Sequence, residues 1–327
     1  VIRKLVATVL AVLAFPVAAQ PLEKVTLRLD WVNSGYHAIW YLAADRGLFK
    51  AEGIDIEILE GRGSATVAQT VGNGSVMFGT ADTGTVMGLV SQGLPIKIVG
   101  GWLRQSPYAL IFPKKNNWNS YADIAKSPTR PRIGLSPGSG AAVLLPAALK
   151  AAGLEGKVQL INMEPAAKPT ALLEGRVDAI ESFDFLQVPV LEANGLPSMA
   201  LPFSKAGINV PGLALITNQE MIKKNPALVR KMVSVMQKTL ELGRKEPEAA
   251  IDALLKRTPT LKRDLQLNVL KLSFNLFEND DTKGKPLAWM SPQIMTKSQD
   301  ILVQYGQIKT KQPVENYFTN EFVPGVK

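Results

Sequence analysis

Along the first two thirds of the chain, short runs of β-type residues alternate with longer stretches whose apolar positions recur at helical spacing. Val25, Leu27 and Leu29 alternate with Thr26 and Arg28, which predicts a two-faced strand ending at Asp30. A polar and aromatic loop follows, and residues 35–50 read as a helix that turns Ile39, Leu42, Leu48 and Phe49 inward. Gly53 stops that helix before a strand over residues 54–59. Next come the loop 60–64, a helix over 65–71 with Ser64 as its N-cap, a strand at 76–79, a helix at 84–92 and a strand at 96–100. This alternation predicts an α/β fold whose sheet is mainly parallel and covered on both faces.

After an apolar strand at residues 108–112, a second alternating unit begins near Lys114. Residues 132–135 read as a strand, 136–140 as a glycine-rich turn, and 141–152 as a helix that Pro146 should kink or shorten. Strands at 158–161, 177–180 and 199–201 and a helix at 170–174 complete it, and 212–217 reads as a strand returning to the first unit. From Asn218 the pattern is helical. Leu228, Met232, Val235, Met236 and Leu240 share one face after Pro226; Pro247 opens a helix with Ile251, Leu254 and Leu255 inward, and 294–305 forms one more. A chain that enters, leaves and re-enters a unit predicts two lobes joined by a pair of crossing strands, with a ligand in the cleft between them. Residues 20–112 and 211–327 would form lobe 1, and residues 113–210 lobe 2.

Composition changes this picture by what it excludes. With 327 residues, 46% hydrophobic and 20% charged, the chain falls among folded proteins and away from disordered ones. It has no cysteine, which rules out thiol nucleophiles, disulfides, iron–sulfur clusters and thiolate zinc sites. Its one histidine, His37, rules out a multi-histidine metal site, and no Gly-x-Ser-x-Gly elbow supports a serine triad around it. No catalytic residue, metal or cofactor is therefore expected. The formal charge of +9 is scattered, with no Arg-rich tract, so it can draw in small anions without indicating nucleic acid.

Residues 1–19 read as a cleavable export signal. Arg3 and Lys4 precede an apolar run over 5–17, and the small residues Val17 and Ala19 place cleavage before Gln20. No cysteine follows to carry a lipid, so the expected product is free in a periplasm, with a charge of +7 once Arg3 and Lys4 are removed.

The order Asp30, Trp31, Asn33, His37, then Ala44, Gly47, Leu48, Phe49, Gly53 and Ile54, resembles the opening signature of periplasmic solute-binding proteins that serve ABC importers. It is similar to the branch that takes up nitrate, alkylsulfonates, taurine and thiamine pyrimidine precursors. Gln69, Val71, Gly74, Phe78 and Gly79 continue it, then Gly93, Pro95 and Ile96, then Gly134, Ser136 and Gly138, then Gly175, Val177, Asp178 and Ala179; the resemblance covers residues 25–217. It implies a two-lobed periplasmic-binding-protein fold with two crossing hinge strands and a C-terminal helical segment. It also implies a monomeric, non-enzymatic receptor that delivers its ligand to a membrane permease and ATPase. The same fold occurs in a eukaryotic pyrimidine-precursor synthase with a cysteine-rich motif and in a deaminase that holds its cofactor through cysteine, chemistry this chain cannot supply.

Strand ends and helix starts supply the candidate ligand contacts. Trp31 offers a flat apolar face and an indole donor, or packs between lobes; Asn33 can donate and accept, or form a local turn; His37 caps either the ligand or its own helix. Arg62, between two glycines, can pair with an oxyanion or stay solvated, and Ser64, Ala81 and Asp82 lie on the same sheet edge. In the second unit Ser136, Gly138, Ser139 and Gly140 form an anion-binding turn at a helix N-terminus. Arg104, Ser106 and Tyr108 could reach in from the hinge. Glu164, Glu181, Ser182 and Asp184 sit at further strand ends, where the acids suit amine or aminopyrimidine donors. Arg62, the basic charge and the turn favour a small organic anion such as a sulfonate, a carboxylate or nitrate; Trp31 with the acids favours a nitrogen heterocycle such as a thiamine pyrimidine precursor.

Overall fold

The computed structural model describes residues 21–326, and the expected leader lies outside the described residues. Among the described residues, ten strands form two five-stranded sheets. They are β1 (Glu23–Arg28), β2 (Ile54–Leu59), β3 (Phe78–Asp82), β4 (Ile96–Gly101), β5 (Tyr108–Pro113), β6 (Arg132–Leu135), β7 (Gln159–Asn162), β8 (Ala179–Phe183), β9 (Ser198–Pro202) and β10 (Leu213–Asn218). The first sheet has the order β2-β1-β3-β10-β4 and the second β7-β6-β8-β5-β9. Each is parallel except for one strand: β10 runs antiparallel to β3 and β4, and β5 antiparallel to β8 and β9. In both sheets the odd strand is the first one laid down after the chain crosses over.

The strand at residues 108–112, expected inside the first lobe, therefore belongs to the second sheet. Its residues show why: Tyr108, Leu110 and Phe112 join the large core while Ala109 and Ile111 join a smaller one with Leu172, Ile180 and Leu191. Apolar side chains on both faces fit a central strand with packing on either side, which β5 has between β8 and β9.

The crossings, residues 102–107 and 203–212, run side by side. The amides of Trp102 and Leu103 both donate to the Leu213 carbonyl at 2.9 Å, and that of Gly212 donates to the Gln105 carbonyl at 3.1 Å. Gly212 permits this approach, because a Cβ there would lie 2.9 Å from the Leu103 Cβ.

The helical remainder covers the first sheet. Asn225 caps the helix Pro226–Lys245, accepting from the Leu228 amide, and Pro226 opens it. That helix and Pro247–Leu255 pack on the helix Ala38–Asp45, with Gly243 pressed against Ile39. The C-terminal segment closes the free edge of β4: the Ile98 amide donates to Tyr317 and that of Gly101 to Ala288.

Gly63, not Ser64, is the N-cap of the helix Ser64–Gly72; Ser64 is its first residue, and its hydroxyl is taken by Asp82. Two further elements differ from expectation. The helix expected over 35–50 is a 3₁₀ turn, Gly35–His37, and two helices, Ala38–Asp45 and Leu48–Ala51, because Gly47 at φ 72° reverses the chain between them. The helix Gly140–Ala151 runs through Pro146 without ending there.

Candidate functional site

Parallel order puts the carboxyl ends of β1 and β3 on one rim of the first sheet and those of β6 and β8 on one rim of the second. The rims face each other across a cavity. Asp30, Trp31, Tyr36, Ser64 and Asp82 line it from the first lobe, and Ser139, Gly140, Lys168, Glu181, Ser182, Phe183 and Gln187 are among its walls from the second. The rims also touch beside it, where the Ala65 amide donates to the Gly138 carbonyl at 3.2 Å.

Three buried carboxylates dominate the wall. Asp30 accepts from the Tyr36 hydroxyl at 2.9 Å, from the Thr80 hydroxyl at 3.0 Å and from His37 Nε2 at 3.2 Å. Asp82, 3% exposed, accepts from the Ser64 and Tyr108 hydroxyls, each at 2.6 Å, and from the Gly140 amide of the opposite lobe. Burial pushes its carboxyl up to about 6, against those hydrogen bonds and with the help of nearby Asp30. Glu181, 0% exposed, places Oε1 within reach of the Ser136 amide at 2.7 Å, the Ser139 hydroxyl at 3.2 Å and Lys168 Nζ at 2.8 Å. Its Oε2 has no partner, and neither does Gln187 Nε2, both from side chains in the wall.

Flat surfaces complete the site. The Tyr36 ring stands 6.3 Å from that of Phe183 and 5.6 Å from that of Phe185, across the boundary between lobes. Lys168 Nζ lies 5.8 Å from the centroid of the Trp31 ring, also across that boundary. Burial and the neighbouring carboxylates hold the Tyr36 and Tyr108 phenols well above their ordinary range, so both stay hydrogen-bond donors.

Of the residues expected here, Trp31, Ser64, Asp82, Ser139, Gly140, Glu181 and Ser182 line the cavity. The others do not. His37 is 0% exposed; its Nδ1 accepts from the Ser34 amide, capping its own turn, which leaves Nε2 to donate to Asp30. Asn33 faces the helical segment, donating to Thr258 at 3.0 Å and accepting from Tyr41 at 2.6 Å. Arg62 and Glu164 are exposed outside the cavity. Ala81 is enclosed within β3, and Ser136 is buried behind the wall with only its amide turned to Glu181. Gly138 spends its carbonyl on Ala65. Ser106 lies in a separate groove at the crossings and Asp184 in another beside the helix Arg263–Ser273; burial raises the Asp184 carboxyl.

The anion-binding turn is likewise reassigned, since the amides of Ser136 and Gly140 already serve Glu181 and Asp82. Sequence reasoning missed Tyr36, Lys168, Leu186 and Gln187 as lining residues. A lysine in the otherwise uncharged helix Ala167–Leu173 was the one available signal.

Among the described residues no helix is long and apolar enough to cross a membrane, and no cluster of three or more His, Asp or Glu could hold a metal. A family model described as NMT1/THI5 like matches residues 34–250. The riboflavin-binding protein RibY of Chloroflexus aurantiacus is 27% identical over 315 residues, which covers 94% of this chain and 88% of that protein. The 4-amino-5-hydroxymethyl-2-methylpyrimidine phosphate synthase THI13 of Saccharomyces cerevisiae is 24% identical over 284 residues, covering 79% and 78%. The alkanesulfonate-binding protein SsuA from Xanthomonas axonopodis, solved with MOPS, has a TM-score of 0.70 at 15% identity, with 91% of this chain and 99% of that one covered.

Proposed function

Because the chain belongs to the NMT1/THI5-like family and has the periplasmic-binding-protein fold, we propose that it is the solute receptor of an ABC importer, and that its ligand is a flat nitrogen heterocycle. The observation that carries this reading is the wall itself: aromatic rings from both lobes beside buried carboxylates, with Glu181 Oε2 and Gln187 Nε2 left for a ligand edge that both donates and accepts. Such groups cost free energy when unpaired and discriminate strongly when a matching edge arrives. The names of the relatives, a riboflavin-binding protein and a pyrimidine phosphate synthase, agree with ring-shaped ligands of this class.

The small organic anion favoured by the sequence has less support. Arg62 stands outside, the helix N-terminus faces protein carboxylates, and Lys168, the one cation among the lining residues, is already paired with Glu181. The receptor is taken to be exported, to act as a monomer without turnover, and to close over its guest before docking on a permease and its ATPase. Contacts from both lobes supply the differential affinity that closure requires. The absence of cysteine and the engagement of the single histidine with Asp30 support binding in place of catalysis.

A thermal-shift panel of pyrimidines, flavins, sulfonates and carboxylates tests the reading, since a ligand of the native state raises the melting temperature with its saturation. Stabilisation by ring compounds alone, recovered unchanged from the protein, is the expected result. Stabilisation by sulfonates or carboxylates alone would refute it.

A further inference from the structure

We propose that this cavity selects the positively charged form of its heterocycle, and that Asp82 and Glu181 are the residues that read the charge. The inference rests on the reading of the site as a heterocycle receptor and adds the ionisation state of the guest.

The argument is one of unbalanced charge. Asp30, Asp82 and Glu181 lie in the wall at 4%, 3% and 0% exposure, and Lys168 is the one cation beside them. Lys168 neutralises Glu181 through Oε1, and among the described residues it is the only cation within ion-pair distance of that carboxylate. Asp82 meets only neutral donors: two hydroxyls and the Gly140 amide. The groups facing it are Asp30 from the loop after β1, Tyr36 from the 3₁₀ turn, Tyr108 from β5 and the helix start at Gly140. Asp30 is faced by Tyr36, Thr80 and His37. The wall thus carries an excess of negative charge held away from water, where an uncompensated carboxylate is costly.

A second, separate observation points to a guest: Glu181 lines the cavity, and its Oε2 is buried without any partner. A ring bearing N–H donors and a positive charge would answer both, giving Oε2 a charge-assisted hydrogen bond and Asp82 a counter-charge across the cavity. The elevated carboxyl of Asp82 fits, since burial with no counter-ion is what lifts it to about 6. A cation beside it would lower it again, so binding near that pH should release a proton.

The test compares two near-isosteric rings at neutral pH: 4-aminopyridine, which is protonated there, and 4-aminopyrimidine, which is not. Titration calorimetry should give the cation at least tenfold tighter binding, about 1.4 kcal/mol. Asp82→Asn should remove most of that preference, read as the ratio of the two affinities within the variant, and Glu181→Gln offers a second variant if Asp82→Asn fails to fold. At pH 6 the binding heat of the cation should vary with buffer ionisation enthalpy in the wild type and cease to do so in Asp82→Asn. Equal affinity for the two rings, or a preference that survives both variants, overturns the charge inference while the heterocycle reading stands. If no ring compound binds, including neutral flavins, the underlying reading falls with it.

Discussion

Asp82 joins the two lobes through a single carboxylate, and its ionisation makes a stability prediction with a definite sign. Folding raises its carboxyl from the usual 3.8 to about 6, so between those values the folded protein holds more protons than the unfolded chain. Stability therefore falls as pH rises from about 4 to about 6, by on the order of 3 kcal/mol at most for this group. Urea midpoints for the wild type and Asp82→Asn should converge or cross over this range, the wild type gaining on the variant toward pH 4. Parallel pH profiles would contradict it. Other carboxylates move the opposite way: the Arg257 and Arg132 partners hold Asp45 and Asp178 below the usual range, and comparison with the variant cancels them. At this scale the sequence was half legible. The ends of β1, β3 and β8 were found because a strand end fixes where the next residue points, whereas His37 and Asn33 lie in a loop that folds inward and toward the helical segment.

Helix packing on the first sheet depends on one close approach that no periodicity announces. Gly243 lies near the end of the helix Pro226–Lys245, and a Cβ there would stand 2.3 Å from Ile39 Cγ2. Gly243→Ala gains roughly 1 kcal/mol of helix propensity but forces the helices apart, at a typical cost of 1 to 3 kcal/mol. A net loss of stability and a lowered melting temperature are expected; a raised one would show that the helix shifts freely. The apolar stripe Leu228, Met232, Val235, Met236 and Leu240 was readable because burial of one helix face imposes its spacing, and all five are buried. The division of the helix expected at 35–50 was less so, since Gly47 supplies a left-handed turn that helical spacing on either side conceals.

At the scale of the molecule, opening requires the rims to part at the Ala65 and Gly138 contact. The Ala65 Cβ lies 3.5 Å from where a Cβ would stand on Gly138, within disulfide range in a chain with no cysteine of its own. Ala65→Cys with Gly138→Cys should therefore lock the lobes together on oxidation, despite about 1–2 kcal/mol of strain from the left-handed backbone at Gly138. Stopped-flow measurement with a fluorescent ring ligand should show uptake and release slowed at least tenfold in the oxidised protein and restored by dithiothreitol. Exchange as fast as in the wild type would mean that ligand enters without separation of these rims.

The sequence by itself determined the α/β class and the sheet-edge location of the cavity, because these follow from local periodicity and from the direction of parallel strands; the family resemblance rested separately on motif residues such as Asp30, Trp31, Gly47 and Gly53. Only the tertiary structure decided that β5 belongs to the second sheet, and that Lys168, Tyr36 and Gln187 meet Trp31 in one cavity. It also showed the amides of the expected anion turn already engaged by Glu181 and Asp82. These outcomes depend on which side chains from distant segments share a buried volume, and that is set by the packing of one lobe against the other rather than by any spacing along the chain.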